Sequence, residues 1–113
     1  MDCLFCKIVN KEIDSDIFFE DGELVVIRDI SPVAPVHLLV IPKKHISSIM
    51  NIEDLDDSTI VHIMVTIKKI ASDLELDKKG FRVVTNMGPD GGQSVDHLHF
   101  HLMGQRKFNW PPG

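Results

Sequence analysis

The sequence predicts an α+β fold: five antiparallel strands in one sheet, one long helix across the sheet and a short helix near the N-terminus. Short apolar runs separated by Gly, Pro and Asp turn signals predict strands joined mostly by tight connections. Between residues 60 and 74 apolar residues recur every three or four positions, which is the period of a helix. A chain of 113 residues, 43% of them hydrophobic, can bury a core unaided, so we expect a single domain over residues 1–113.

The strands follow from apolar runs and the turn signals between them. Residues 3–10 predict a short helix or turn, and the segment IFFEDGELVVIRDI predicts two strands joined at Asp21-Gly22. Residues 37–42 form an apolar run suited to a central strand. Residues 81–86 predict a fourth strand and the histidine-rich stretch 97–103 a fifth.

The long helix is predicted to begin in the acidic segment EDLDDS, where carboxylates meet the positive end of the helix dipole, and to end near residue 74. The apolar stripe expected to cover the sheet consists of Ile60, Ile63, Met64, Ile67, Ile70, Ala71 and Leu74. Val61 and Val65 lie off this stripe, which indicates a second buried surface. We expect His62, Thr66 and Lys69 to form a solvated face.

Charge and hydropathy bear on partners and location. A formal net charge of −5 argues against a protein that works mainly by gripping nucleic acid. The opening MDCLFCKIVNKEI carries charges throughout and no long apolar run, so we expect neither a signal peptide nor a membrane span, and a cytoplasmic location.

The stretch HLHFHLM, residues 97–103, places three of the six histidines at alternate positions. On a strand, Leu98, Phe100 and Leu102 would face the core, and the three histidines would stand on the other face about 7 Å apart. One metal ion cannot bind all three, because the outer two would be about 13 Å apart and a zinc–nitrogen bond is about 2.1 Å long. Either each imidazole has a separate catalytic task, or two of the histidines join ligands from elsewhere in the chain. The remaining possibility is an ordinary polar strand face.

The loop NMGPDGGQSVD lies directly before the histidines. Its Gly88, Gly91 and Gly92 allow positive φ and a close approach of the backbone to a ligand, and Gln93 and Ser94 add side-chain donors. The loop could equally be a plain glycine-rich connection. Beside three imidazoles, however, it suits phosphate chemistry, because an imidazole nitrogen is a good nucleophile when a hydrogen bond fixes its tautomer.

The stretch GGQSVDHLHFHLMGQR resembles the signature of the histidine triad family. RDISPVAPVHLLVIPKKHI and the closing WPPG are similar to its nucleotide-binding branch, and the resemblance covers nearly the whole chain. It implies a single histidine triad domain that hydrolyses purine nucleoside phosphoramidates through a nucleotidyl-histidine. It also implies a homodimer whose long helices and fourth strands pair across a two-fold axis, giving a dimer-wide sheet, with each tail directed toward the neighbouring site.

The resemblance also implies a role for each site residue. His99 would be the nucleophile, His101 would bind phosphate and assist proton transfer, and His37 would support the proton relay; taken alone, His37 reads as a structural histidine. The nucleotide-binding set would comprise Asn86, Gln93 and Ser94 at the phosphate or leaving group, Asp29 at the ribose, and Phe5, Ile8, Ile27 and Ile30 around the purine. Asp96 departs from the family pattern, and a carboxylate there could stabilise a protonated imidazole.

Cys3-x-x-Cys6 has the spacing of half a tetrahedral zinc site. The resemblance implies that His45 and His97 complete it, as a structural zinc site; otherwise the cysteines are small packing residues. We expect no cofactor to be needed for the chemistry itself. Two other functions stay open: a nucleotide-binding or scaffolding module with vestigial catalysis, and a zinc hydrolase that uses His97 and His99.

Overall fold

The computed structural model describes residues 3–113 and has the predicted α+β architecture. Its elements are α1 (Leu4–Val9), β1 (Ile17–Glu20), β2 (Leu24–Arg28), β3 (Val36–Pro42), a 3₁₀ helix (Ile49–Asp54), α2 (Asp57–Asp73), β4 (Phe81–Val84), the short α3 (Gly88–Gly91) and β5 (Phe100–Gly104). The strands form a five-stranded sheet in the order β1-β2-β3-β5-β4, with every neighbouring pair antiparallel. The predicted sheet, long helix and short N-terminal helix are therefore confirmed.

The β1–β2 hairpin turns where the sequence predicts. The Asp21 carboxylate accepts hydrogen bonds from the backbone N–H groups of Glu23 and Leu24, both at 2.8 Å, and its own N–H donates to the carbonyl of Leu24. An aspartate that caps its own turn in this way favours a tight reversal of the chain. The turn sets the register of β1 against β2, and β2 pairs in turn with β3, the central strand.

One face of α2 covers the sheet, but the stripe differs from the prediction. Ile63, Ile67, Ile70 and Ala71 are buried as expected, whereas Met64 is 45% exposed. Thr66 was predicted to be solvated and is buried. At about 100° per residue, Thr66 lies about 40° beyond Ile70 on one side of the stripe and Met64 about 20° beyond Ala71 on the other. Both residues are thus at the margins of the stripe, where the neighbouring elements decide which side chain is covered.

His62 is also less solvated than predicted. It is half-buried, and its Nε2 lies 2.6 Å from a carboxylate oxygen of Asp21 in the hairpin turn. This contact ties the outer side of α2 to the β1–β2 turn.

The two faces of the sheet carry two separate apolar clusters. Leu38 and Val40 of β3 point toward α2, and Leu39 and Ile41, the alternate residues, point toward α1. The six-residue α1 is held on the second face by the buried side chains of Phe5 and Ile8. That second face also carries His37 and His101, which alternate with the residues that face α2.

The fifth strand is shorter than predicted. It begins at Phe100, so His97, Leu98 and His99 precede the ladder instead of belonging to it. Leu98, Phe100 and Leu102 do face the core. The predicted open row of histidines is not found, because His97 and His99 are buried and His101 is half-buried. The ring of His97 turns toward the cysteines near the N-terminus.

None of the helices within residues 3–113 has the length and apolar character needed to cross a membrane.

Candidate active site

His99 is held in a defined tautomer by the backbone. Its Nδ1 lies 2.8 Å from the carbonyl oxygen of His97, and because a carbonyl only accepts hydrogen bonds, Nδ1 carries the proton. Nε2 therefore keeps its lone pair. The carbonyl of His99 accepts a 2.8 Å hydrogen bond from the hydroxyl of Thr85, which fixes the main chain at this point. The ring is 4% exposed, so it is held rigidly with one nucleophilic nitrogen available.

His37 and His101 form a hydrogen-bonded pair on the same face of the sheet. The backbone N–H of Val33 donates to Nδ1 of His37 at 3.1 Å, so the proton of His37 is on Nε2. Nε2 lies 2.9 Å from Nδ1 of His101 and donates to it. The remaining proton of His101 is then on Nε2, the nitrogen directed away from His37. One backbone amide thus sets the tautomers of two side chains in series.

Burial keeps this histidine pair neutral at ordinary pH. Desolvation, with smaller contributions from His99 and His37, lowers the pKa of His101 to about 4. Desolvation also lowers the pKa of His37, while nearby Asp29 opposes that shift. His101 is therefore a neutral hydrogen-bond donor through Nε2.

Asp29 lies beside the hydrogen bond that joins these two histidines. One carboxylate oxygen is 3.4 Å from Nε2 of His37, and the other accepts a hydrogen bond from the N–H of Ser31. The carboxylate and the two imidazoles are close enough together to hold a cation. The tautomers oppose that use, because Val33 occupies Nδ1 of His37 and Nε2 must keep its proton. The arrangement suits the orientation of imidazoles and the sharing of a proton.

A cavity of about 280 Å³ opens in front of His99 and His101. Its lining includes eight of the predicted residues, namely Phe5, Ile8, Ile27, Asp29, Ile30, Ser94, His99 and His101. Phe5 and Ile8 form an apolar wall from α1, and Ile27 adds to it from β2. Ile30 was expected to enclose a base, but it is 94% exposed and stands at the rim.

The glycine-rich loop is held together by Gln93. Its side-chain amide nitrogen donates to the carbonyls of Ser47 and Val95, and its amide oxygen accepts from the N–H of Gly88. Gly88, the first residue of α3, and Gly92, which follows that helix, adopt positive φ as predicted, whereas Gly91 does not. The structure therefore gives Gln93 a role in shaping the loop.

The other predicted loop residues differ in position. Ser94 is exposed and lines the His99 cavity. Asn86 is half-buried after β4, beside Gly91, and is not among the residues that line this cavity. Asp96 is exposed and lines a second cavity, next to Cys3 and His45.

Cys3, Cys6, His45 and His97 converge as expected. Their ligand atoms all lie within 4.8 Å of one another. Nε2 of His97 lies 2.7 Å from the carbonyl of Pro42 and carries the proton, so the lone pair on Nδ1 points into the cluster. Nδ1 is 3.4 Å from the sulfur of Cys3 and 3.7 Å from that of Cys6, and the sulfur of Cys6 is 3.4 Å from Nδ1 of His45.

These spacings fit a tetrahedral metal ion. Zinc bonds of about 2.3 Å to sulfur and about 2.1 Å to nitrogen imply sulfur–nitrogen edges of about 3.6 Å. Burial is the largest cause that raises the pKa of the Cys6 thiol, and the hydrogen bond and charge of Cys3 raise it further. A cation that binds this sulfur would therefore displace a proton. The donor set of two thiols and two imidazoles is one that zinc prefers.

The geometry opposes a zinc hydrolase built on His97 and His99. Nδ1 of His97 faces the cysteines, and Nδ1 of His99 donates to a carbonyl. The two rings therefore belong to different sites, one suited to a metal and the other to a nucleophile.

Several groups that shape the site were not predicted. The carbonyl of His97, the N–H of Val33 and the carbonyl of Pro42 are backbone atoms, and no side-chain pattern marks them in a sequence. Thr85 and Leu39 were also missed, the first as a support of His99 and the second as part of the cavity wall. Leu39 could have been found from the period of two along β3, which places it on the side of His37.

Fold and site together define a class: an α+β protein with a row of histidines, one in a nucleophilic tautomer, facing a small-molecule cavity. The chain belongs to the histidine triad family, since the HIT domain matches residues 10–108. It is similar to a HIT family hydrolase from Legionella pneumophila Philadelphia 1, with 46% identity, a TM-score of 0.95 and coverage of 99% of this chain and 100% of that one.

Two further relatives share most of their length with this chain. A histidine triad protein from Clostridium difficile is 48% identical, with a TM-score of 0.89 and coverage of 96% and 95% of the two chains. A 14 kDa zinc-binding protein of Brassica juncea is 43% identical over 114 residues, covering 99% of this chain and 100% of that protein.

Proposed function

We propose that this protein is a purine nucleoside phosphoramidate hydrolase that acts through a nucleotidyl-histidine on His99. The observation that carries the proposal is the hydrogen bond from Nδ1 of His99 to the carbonyl of His97, which leaves the lone pair on Nε2 beside a cavity. A hydrolase from Legionella with 46% identity supports the broad reaction class. The nucleotide-binding branch of the family supplies the substrate class by resemblance.

The reaction divides into two displacements at phosphorus. Nε2 of His99 attacks the α-phosphorus while the P–N bond breaks, and the amine leaves with a proton that solvent supplies along the hydrogen bond made by the Nε2–H group of His101. Water then attacks the phosphorus of the nucleotidyl-histidine and releases the monophosphate, and the proton lost by water returns to solvent by the same route. His37 donates its Nε2 proton toward Nδ1 of His101 and so offsets the charge that develops there.

Substrate binding follows from the residues around the cavity. Phe5, Ile8 and Ile27 would pack on the purine, with Ile30 at the rim, and Asp29 would hold the ribose hydroxyls. Ser94 would contact the phosphate or the leaving group. The same role for Asn86 rests on the family resemblance alone, since Asn86 does not line this cavity. Gln93 would act by keeping the loop in shape, because direct contact with phosphate would break its bonds to Ser47 and Val95.

We further propose that Cys3, Cys6, His45 and His97 hold a structural zinc ion. The donor spacing and the zinc-binding relative from Brassica support this assignment. When bound, zinc would crosslink α1 to the segments carrying His45 and His97. The thiols are in keeping with a reducing, cytoplasmic compartment.

Two proposals concern the whole molecule. Residues 1–113 would form one histidine triad domain, and two such domains would pair through α2 and β4 into a dimer-wide sheet. β4 is at an edge of the sheet, and α2 exposes Val61 and Val65. The tail with Trp110 would then reach toward the neighbouring site.

A second candidate function is a nucleotide-binding or scaffolding module without turnover. The zinc-binding relative favours it, since that name describes binding and not catalysis. Covalent labelling distinguishes the two functions, because a binding module would not form a nucleotidyl-histidine.

The test is single-turnover quenching with an adenosine phosphoramidate labelled at phosphorus. We expect an acid-labile, base-stable label on the wild-type protein and none on His99→Ala. The variant should also lose turnover while keeping its affinity for the monophosphate within about tenfold, because the groups that bind phosphate remain. Turnover by His99→Ala above a few per cent of wild type, or no label on the wild type, would contradict the assignment.

A further inference from the structure

The candidate metal site and the candidate nucleotide cavity share a wall. A cavity of about 480 Å³ beside the cluster is lined by Cys3 and His45. Leu4, Ser94 and Val95 line both this cavity and the one in front of His99. A displacement of this wall on one side therefore changes the shape of the cavity on the other.

His97 connects the two sites through its own covalent structure. Its ring contributes Nδ1 to the cluster, and its carbonyl accepts the proton that sets the tautomer of His99. Its N–H donates to the carbonyl of Val95 at 2.9 Å, which fixes the segment between the shared wall and the ring. The ring is fully buried, so its position cannot change without moving its neighbours.

Phe5 provides a second connection. Its ring packs edge-on against both imidazoles, with centroids 5.8 Å from His97 and 5.0 Å from His99. Phe5 lies on α1, and the sulfur of Cys3 caps that helix by accepting from the N–H of Cys6. A helix of six residues is marginal by itself, so its position depends on what anchors its ends and its apolar face.

We propose that metal binding at Cys3, Cys6, His45 and His97 and nucleotide binding in the His99 cavity are thermodynamically coupled through α1 and His97. The metal fixes the N-terminus of α1 and the ring of His97, which orders Phe5 against the nucleophile before the nucleotide arrives. A nucleotide that packs on Phe5 and Ile8 orders the same helix and so favours the metal. This inference rests on the proposed nucleotide site and adds a regulator of its affinity.

Coupling between two binding sites must be reciprocal, which gives a strict test. The dissociation constant of AMP is measured by calorimetry on zinc-loaded and zinc-free full-length protein, and that of zinc by chelator competition with and without AMP. We expect AMP to bind about tenfold more tightly to the zinc-loaded form and AMP to tighten zinc binding by the same factor. Equal AMP constants in the two forms would overturn the coupling alone. No AMP binding in either form would overturn the proposed function and the coupling with it.

Protein that carries Co²⁺ in place of zinc allows the coupling to be measured without a comparison with metal-free protein. Absorption bands of Co²⁺ bound to thiolates and imidazoles report small changes in ligand geometry, so saturating AMP should shift them. An unchanged cobalt spectrum at saturating AMP would contradict the coupling even if the zinc-free chain does not fold.

Substitutions test whether Phe5 transmits the coupling between the two sites. Phe5→Leu keeps all four ligands but removes the ring that touches both histidines, so zinc affinity without AMP should persist and the coupling factor should fall at least threefold. His62→Gln, on the outer side of α2, is the matched control and should retain the full factor. A Phe5→Leu variant with the wild-type coupling factor would rule out this route.

Discussion

His97, His99 and His101 occupy alternate positions, yet a different partner fixes the tautomer of each ring. Pro42 takes the proton of His97, and the carbonyl of His97 takes that of His99. His37 donates to Nδ1 of His101. The free lone pairs consequently point to different places: Nδ1 of His97 into the cysteine cluster and Nε2 of His99 away from its backbone partner. The task of each histidine follows from its hydrogen bond, because the side chains are chemically identical.

The first prediction concerns the pH dependence contributed by His101. The folded protein keeps this group neutral down to a pKa of about 4, while its ordinary pKa is 6.5. Between these values the unfolded chain binds more protons than the folded one, so the free energy of unfolding should decrease as pH falls from about 6.5 toward 4. Urea titrations of zinc-loaded protein at several pH values measure this slope.

The matched variant for this prediction is His101→Gln, which removes the titrating group and keeps a polar side chain. Its free energy of unfolding should depend less steeply on pH in the same window. Above pH 6.5 the contribution of His101 to the free energy of unfolding no longer changes with pH. The wild type and His101→Gln should therefore show the same pH dependence there. Equal slopes between pH 4 and 6.5 would show that burial does not shift the pKa of His101.

At the scale of elements, β5 is held closely against the segment that follows α2. A Cβ placed on Gly104 would lie 2.8 Å from Cδ2 of Leu76, which is itself buried. Gly104→Ala should therefore force Leu76 to shift and lower the free energy of unfolding by about 1–3 kcal/mol, as overpacking of a core does. Chemical denaturation measures the change.

The control for this substitution is Gly22→Ala in the β1–β2 turn, where an added Cβ has no atom within 4 Å. We expect that variant to stay within about 0.5 kcal/mol of wild type, as surface substitutions usually do. If both variants have the same stability, the contact between Gly104 and Leu76 is not a packing constraint.

The position of α1 gives a prediction for the cysteines. If zinc crosslinks this helix to His45 and His97, the purified protein should contain one zinc per chain. Cys3→Ser should then lower the melting temperature, because metal-binding energy contributes to folding. Metal analysis of protein prepared without chelator, together with calorimetry, provides the measurement. A metal-free protein whose melting is unchanged by Cys3→Ser would leave the cysteines as packing residues.

At the scale of the whole molecule, apolar surface is exposed where a second copy is proposed to bind. Val61 and Val65 of α2 are 60% and 53% exposed, and Phe81 and Val83 of β4 are each 40% exposed at the sheet edge. We predict a homodimer at micromolar concentration, because pairing of β4 strands and packing of α2 helices would cover both surfaces. Sedimentation equilibrium measures it, and Val65→Lys should shift the protein toward monomer.

The C-terminal tail, residues 108–113, gives a second test of the proposed dimer. Arg82 donates to the carbonyl of Asn109, and Arg106 stacks on Phe108, so the tail is anchored up to Trp110, which is 83% exposed. Deleting residues 108–113 should alter turnover or leaving-group preference while the dimer persists. Wild-type sedimentation as a monomer would contradict the dimer, and unchanged kinetics on several leaving groups would contradict the role of the tail.

The fold was largely predictable from the sequence because its periodicities are strong. The continuous apolar runs of β2 and β3 indicated strands buried on both faces, the stripe of α2 indicated the helix that covers one face, and the HLHFHLM stretch placed Leu98, Phe100 and Leu102 correctly. The start of β5 was not predictable, because the direction of the His97 ring depends on Cys3, which is 94 residues away. The tautomers were not predictable either, because backbone atoms set those of His37, His97 and His99.

The double attachment of His97 has an evolutionary consequence. Cys3 and Cys6 each supply one of the two sulfur ligands of the proposed metal site. Selection on one thiol therefore weakens when the other is lost, and we expect relatives to have both cysteines or neither. His97 also donates to Pro42, and its ring packs against Phe5. Selection should therefore preserve this histidine in relatives that have lost both thiols. An alignment in which His97 disappears whenever the cysteines do would show that its ring serves the metal alone.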